Sequence, residues 1–198
     1  MPSRMTELPI FRSKLQPHVF GLLLLNPEST WTVADIAAAV DAPSVSVHRE
    51  LQRGLRGGLL TREAVGRAHV YRAATSSPLY EPLRDLLERT VGVEAELRSA
   101  LETVRGVESG FIHGSFAAKD HLNARSDIDL LVLGHMDPRQ LRRAVRLVER
   151  RVGREIDVVS YTPEEFADLR RSGNSFARKV AQGPVIAIVG EPEQLRTP

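Results

Sequence analysis

The sequence contains no cysteine, no long apolar run and no strong excess of charge of either sign. Without cysteine, the chain cannot form a disulfide framework or a thiolate zinc site. Its longest apolar run, VFGLLLL at residues 19–25, is too short to cross a bilayer and lacks the cleavage site of a secretory signal. We therefore expect a cytoplasmic globular protein that does not associate with membranes.

The charge is distributed unevenly along the chain, although the net formal charge is only +2. Residues 1–76 carry nine Lys and Arg against six Asp and Glu, whereas residues 77–104 carry three against six. A mildly basic N-terminal part is compatible with a contact to nucleic acid in that part.

Three helices followed by a β-hairpin are predicted in the first third of the chain. The apolar helix 15–25 ends at Asn26-Pro27, and Thr32 is a suitable N-cap for a second helix over 33–40. A third helix begins near Pro43, with Val47, Leu51 and Leu55 forming one apolar stripe. The segments LLTREAV and AHVYRA, separated by Gly66-Arg67, predict two strands around a tight turn.

The third helix has a polar face opposite its apolar stripe. That face presents Ser44, Ser46, His48, Arg49, Gln52 and Arg53. Arg62, Arg67 and Arg72 belong to the predicted hairpin. This arrangement resembles the winged helix-turn-helix of bacterial transcription regulators over about residues 10–76, which implies binding to double-stranded DNA.

The two groups of polar residues would have different tasks on DNA. The hairpin arginines would contact phosphates, while Ser44, Arg49 and Gln52 are placed to read base edges. The alternative is that these residues form an ordinary solvated face and that the winged helix binds a protein.

A helical connector is predicted over residues 77–104. Leu79, Leu83, Leu86 and Leu87 recur at helical spacing, and Gly92 ends or kinks the helix. This apolar stripe needs a partner surface. It could form a homodimer, which would match a two-fold DNA operator, or it could belong to the core of its own chain.

The second half of the chain alternates strands and helices, which predicts an α/β or α+β unit with helices on a sheet. One predicted strand begins with Asp127 and Asp129, which lie on the same face because successive side chains alternate. Two like charges there need compensation by arginine, a helix N-terminus or a divalent metal. Asp157 places a third carboxylate on the next predicted strand.

Gly114-Ser115, then Asp127-Ile128-Asp129, then a later strand aspartate together resemble the minimal nucleotidyltransferases of the DNA polymerase β superfamily. With SDIDLLV, YTPEEF, NSFARKV and GPVIAIVG, nearly the whole chain resembles a bacterial family that fuses a DNA-binding domain to such a transferase. The resemblance implies an α+β protein with three parts. These are a winged helix-turn-helix at 1–76, a helical connector at 77–104 and a nucleotidyltransferase domain with a mixed sheet flanked by helices at 105–198.

The resemblance also implies a reaction. A nucleoside triphosphate, with ATP the expected one, would place its phosphates at Gly114 and Ser115. Asp127, Asp129 and Asp157 would hold two Mg²⁺ or Mn²⁺ ions, and Asp157 would help deprotonate an acceptor hydroxyl. The resemblance also suggests a protein as the acceptor, as with antitoxin transferases that modify a partner toxin.

The chain departs from the family pattern after the Gly-Ser turn. Many relatives have Ala-Arg-Gly there, whereas this chain has Ala117-Ala118-Lys119, so Lys119 or Arg125 would have to replace the arginine as a phosphate contact. Two rivals to the enzyme follow from the same residues. One is a transcription regulator that senses a nucleotide without catalysis, and the other is an antitoxin scaffold whose winged helix binds a protein.

Overall fold

The computed structural model describes residues 10–118 and 127–195 of the 198-residue chain. The chain divides into two compact units, which comprise Met1–Ala95 with Arg150–Gly153 and Glu96–Glu149 with Arg154–Pro198. Within the described ranges, no helix has the length and apolar character needed to cross a membrane.

The helices and strands of the described residues follow the predicted order. The helices are α1 (Leu15–Leu24), α2 (Val33–Ala39), α3 (Ser44–Arg56), α4 (Tyr80–Val91), α5 (Val93–Leu101), α6 (Gly114–Ala118), α7 (Pro138–Val152), α8 (Pro163–Arg171), α9 (Ser175–Gln182) and a 3₁₀ turn (Pro192–Leu195). The strands are β1 (Leu60–Val65), β2 (Ala68–Ala73), β3 (Val107–His113), β4 (Ile128–Gly134), β5 (Ile156–Tyr161) and β6 (Ile186–Val189). The predicted segments all appear, with small differences at their ends.

The first unit is built around α1, which is buried along most of its length because nearly all of its residues are apolar. Helix α4 packs on it: the Tyr80 hydroxyl donates a hydrogen bond of 3.2 Å to the Leu24 carbonyl oxygen, and Leu87 is buried in the same core. Part of the leucine stripe of the predicted connector therefore belongs to the core of its own chain.

Helices α2 and α3 and the β1–β2 hairpin complete the first unit. Thr32 and Asp35 form a reciprocal capping box at the start of α2, as the N-cap prediction required. Val47 and Leu51 of the predicted stripe are fully buried. Trp31 pairs with Tyr71 of β2 and adds a short third segment to the antiparallel hairpin.

The second unit contains a mixed four-stranded sheet in the order β5-β4-β3-β6. Strands β4 and β5 are parallel and are joined through α7, whereas β3 is antiparallel to both β4 and β6. The expectation of an α+β fold with a mixed sheet and helices is confirmed.

The two faces of this sheet are covered differently. One face carries Phe111, Leu131 and Leu133, which are buried with Phe166 of α8 and with residues of α9. On the other face, Gly110 lies against Leu101 of α5, where an added Cβ would be only 2.7 Å from a leucine methyl. Because side chains alternate, Asp129 lies on the same face as Leu131 and Leu133. Asp129, the one acidic residue of β4, therefore projects on the side where α8 and α9 pack.

Candidate active site

Asp129 and Asp157 are register partners in the parallel strands β4 and β5. Directly paired residues project from the same face of a sheet, with their Cβ atoms a few ångströms apart. Asp127 is exposed and lies immediately before β4, two residues from Asp129 in the chain. The structure places all three sequence-predicted acids at one end of the parallel strand pair.

Gly114 follows β3 directly and lies against Asp129. Its φ of +73° belongs to the left-handed region, and a Cβ added there would be 2.2 Å from the Asp129 carboxylate oxygen Oδ2. Glycine is needed for both reasons, since any larger residue would be strained and would collide with the carboxylate. Ser115 is the next residue, exposed in the first turn of the short helix α6.

The negative charge of the three acids is not neutralised by neighbouring protein cations in the part of the chain that the structure describes. There, no lysine, arginine or histidine forms an ion pair with Asp127, Asp129 or Asp157. Carboxylate oxygens are the ligands that Mg²⁺ and Mn²⁺ prefer, so the donor set fits a hard divalent cation.

The described acids do not form a complete metal cage. Across residues 10–118 and 127–195, no group of three or more acidic or histidine side chains is close enough to hold a metal ion. Because Mg²⁺ usually takes one or two carboxylates together with substrate phosphates and water, an incomplete protein cage fits a site that binds metal together with a nucleotide.

His113 connects the acidic pair to α9. It is the register partner of Asp129 across the antiparallel strands β3 and β4, and its ring packs edge-on against Phe176 with ring centroids 5.5 Å apart. Burial lowers the pKa of His113, an effect that Asp129 and Asp157 oppose and that Lys179 adds to. Burial therefore disfavours the protonated form of His113, even though two carboxylates lie nearby.

Lys179 lies near His113 and is not among the site residues that the sequence predicts. Its charge acts on His113, which places it near the acidic end of the sheet. The signal in the sequence was its position three residues after Phe176 in NSFARKV, one helical turn along the same side. Lys119 and Arg125, the expected phosphate contacts, lie outside the described residues.

The predicted DNA-contacting residues are mostly exposed in the first unit. Exposed side chains on α3 and the hairpin are those of Ser44, His48, Arg49, Arg62, Arg67 and Arg72, whereas Ser46, Gln52 and Arg53 are half-buried. Arg72 lies 4.0 Å from Glu63 on the neighbouring strand, in a solvent-exposed pair. These positions leave Arg49, Arg62 and Arg67 accessible to a partner.

Arg53 has a different environment from the other arginines of α3. It donates a hydrogen bond to Oε1 of the buried Glu50, one turn earlier on the helix. In the described part of the chain, the second carboxylate oxygen of Glu50 has no hydrogen-bond partner. Arg53 therefore compensates a buried charge, and this structural role competes with the predicted contact to DNA.

Residues 94–181 match a protein-family model described as "Nucleotidyltransferase domain". The match covers just under half of the chain and contains β3, β4 and β5 with Gly114, Ser115 and the three aspartates. Comparisons with curated proteins and with solved structures returned no match to the chain. The family match supports the nucleotidyltransferase part of the sequence interpretation, and it does not extend to the three helices and hairpin of the first unit.

Proposed function

We propose that the second unit is a Mg²⁺-dependent nucleotidyltransferase that transfers a nucleoside monophosphate from a nucleoside triphosphate, with ATP the first candidate, to a hydroxyl group. The observation that carries this proposal is the register pairing of Asp129 with Asp157 beside Gly114, within the region matched to nucleotidyltransferase domains.

The reaction follows from the chemistry of the triphosphate. The acceptor hydroxyl oxygen forms a bond to the α-phosphorus, and the bond between that phosphorus and the bridging α–β oxygen breaks, releasing pyrophosphate. Asp157 accepts the hydroxyl proton, directly or through water. Gly114 lets the backbone approach the phosphates closely, and the Ser115 hydroxyl donates to a phosphate oxygen.

The three acids are assigned to the divalent ions. Asp127 and Asp129 would hold Mg²⁺ or Mn²⁺ with the triphosphate, and Asp157 would complete a second ion site. Bound ions would neutralise the charge of the phosphates and of the leaving pyrophosphate.

For the first unit we propose a winged helix-turn-helix that binds double-stranded DNA. The support is the sequence of helices and hairpin, the additional Trp31–Tyr71 pairing, and the exposure of Arg49 on α3 and of Arg62 and Arg67 on the hairpin. A two-fold operator would require a homodimer.

The acceptor hydroxyl of the transfer reaction could belong to a protein partner, such as a toxin, which would make the chain antitoxin-like.

A direct test uses the full chain with each of the four nucleoside triphosphates carrying a labelled α-phosphate, in the presence of Mg²⁺. We expect release of pyrophosphate and transfer of label to a pulled-down partner protein, with the Asp127→Asn and Asp129→Asn variants inactive. Full activity in either variant would refute this assignment of the site.

A second candidate is a transcription regulator whose transferase-like unit senses a nucleotide without consuming it. The incomplete acidic cage of the described residues favours it, because a site that only binds metal and nucleotide needs fewer protein ligands. Calorimetry with ATP and Mg²⁺, followed by mass spectrometry of the nucleotide, separates the candidates, because a sensor returns the nucleotide intact. A sensor would also shift the affinity for DNA on binding nucleotide.

A further inference from the structure

We propose that Lys179 of α9 is the cation that binds the β- and γ-phosphates of the nucleoside triphosphate. This inference rests on the proposed nucleotidyltransferase function and adds to it a residue outside the Gly-Ser and aspartate motifs. Two observations support this position for Lys179: the packing of α9 on the sheet, and the place of Lys179 on the flank of the helix that carries Phe176.

Helix α9 packs on the face of the sheet that carries the acidic pair. Ala177 and Val180 are buried in the core cluster with Phe111 and Leu131. Phe176 contacts the His113 ring, and His113 is the register partner of Asp129. The flank of α9 that carries Phe176 therefore faces the end of the sheet where the aspartates lie.

The helical period distinguishes Lys179 from its neighbour Arg178. With about 100° per residue, Lys179 projects about 60° from Phe176, on the flank directed toward His113. Arg178 projects about 160° from Phe176, on the flank of α9 that is remote from the His113 contact. Both side chains are exposed, so the two residues differ in direction and not in accessibility.

Lys179 is also suited to phosphate by its own chemistry. Within the described residues, Lys179 forms no ion pair with either aspartate. An ammonium on a flexible stem, close to the proposed metal site and with no ion pair to the described acids, is suited to bind phosphate oxygens as a point charge.

The acids and Lys179 would act on different parts of the triphosphate. The carboxylates of Asp129 and Asp157 attract the metal ions that the reacting α-phosphate needs. The β- and γ-phosphates carry the remaining negative charge and would be bound by Lys179. We therefore expect Lys179 to discriminate a triphosphate from a monophosphate.

The test compares Lys179→Ala, Lys179→Arg and the matched control Arg178→Ala in the full-length protein. Binding of AMP, ADP and an α,β-methylene ATP analogue is measured by calorimetry with Mg²⁺ at constant ionic strength. Loss of Lys179 should weaken binding of the triphosphate analogue by about 10- to 100-fold while leaving AMP within about twofold of wild type. Lys179→Arg should keep most of the affinity, and Arg178→Ala should match wild type.

Each outcome bears on a separate proposal. If Lys179→Ala and Arg178→Ala bind the triphosphate equally well, or if Lys179→Ala loses AMP and triphosphate to the same degree, the phosphate role of Lys179 is wrong while the proposed function stands. If wild-type protein binds none of the three adenine nucleotides and transfers label from none of the four triphosphates, the proposed function and this inference both fall. Thermal unfolding of the variants controls for misfolding, and the exposure of Lys179 predicts unchanged melting temperatures.

Discussion

Asp129 and Asp157 are directly opposed in the register of the parallel strands β4 and β5, with no protein cation paired to either carboxylate among the residues described. Opposed like charges on a sheet destabilise the folded state. The pair is therefore a local cost to stability that a bound divalent ion would relieve.

Replacing either acid by its amide should lower transfer activity without lowering the stability of the fold. We expect Asp129→Asn or Asp157→Asn to leave the metal-free protein unchanged or more stable by up to about 1 kcal/mol, because repulsion is removed. The same variants should lose transfer activity by about 100-fold or more, since metal ions supply several kcal/mol to such reactions. Chemical denaturation without Mg²⁺ and transfer assays with Mg²⁺ measure the two effects. Asp85→Asn, at an exposed position of α4, is the control and should change neither.

Gly114 should tolerate substitution less well than another left-handed glycine of the same unit. Gly114→Ala introduces both backbone strain and a collision with the Asp129 carboxylate, whereas Gly173, with φ of +74°, has nothing within 4 Å of an added Cβ. Gly173→Ala should cost about 1 kcal/mol from strain alone, and Gly114→Ala should cost more and impair nucleotide binding. Denaturant unfolding of both variants provides the comparison. Equal losses of stability, with nucleotide binding intact, would contradict the close approach of Gly114 to Asp129.

The arginines of the first unit should divide into two functional groups. Arg67→Ala and Arg49→Ala should weaken DNA binding without affecting folding, and loss of a phosphate contact at Arg67 should reduce the salt slope of binding by about 1. Arg53→Ala should instead lower the stability of the fold, because it leaves the buried Glu50 carboxylate without its partner. Fluorescence anisotropy with DNA at several salt concentrations and thermal unfolding measure these effects. Salt-independent DNA binding, or none, would favour a winged helix that binds protein.

His135 should contribute to stability in a pH-dependent way. Its Nδ1 lies 3.1 Å from Glu108 Oε1 and its Nε2 lies 3.5 Å from Glu164, and the hydrogen bond to Glu108 is the main cause that raises the His135 pKa. A folded-state pKa above the unfolded value means that the stabilisation is fully present below the unfolded pKa of about 6.5 and is lost as pH rises through the folded pKa.

The measurement for His135 is the melting temperature of wild type and His135→Gln from about pH 5.5 to pH 8.5. Wild type should be the more stable protein at the acid end, and the difference should shrink toward zero at the alkaline end. Glu108→Gln should likewise make the melting temperature less dependent on pH than in wild type, because it removes the main partner of the imidazolium. A difference that grows with pH would show that the sign of this coupling is wrong.

The sequence predicted the elements of the fold well because local signals agreed with the tertiary structure. The Thr32 cap, the Gly66-Arg67 turn and the Val47–Leu51 stripe each had a local cause that the packing preserved. Alternation along β4 was sufficient to place Asp129 on the same face as Leu131 and Leu133, whereas Asp127 lies just before the strand. Each of these features depends on residues near one another in the sequence.

The remaining features depend on contacts between distant segments, which local patterns do not encode. The pairing of Asp129 with Asp157 needs the β4–β5 register, and the proximity of Lys179 to the acids needs the packing of α9 on the sheet. Glu50 and Arg53 are three residues apart on one helix, a spacing that allows an ion pair and can be read from the sequence. The burial of Glu50 cannot be read from the sequence, because a glutamate on an amphipathic helix is usually exposed.

The binding of a divalent ion by Asp129 and Asp157, together with a nucleotide, is the central claim. Electron paramagnetic resonance of Mn²⁺, titrated into wild-type protein with and without an α,β-methylene nucleoside triphosphate, tests this claim. We predict that the nucleotide creates a tight Mn²⁺ site in the wild type and that Asp129→Asn and Asp157→Asn each abolish it. Equal Mn²⁺ binding by wild type and both variants would contradict the account.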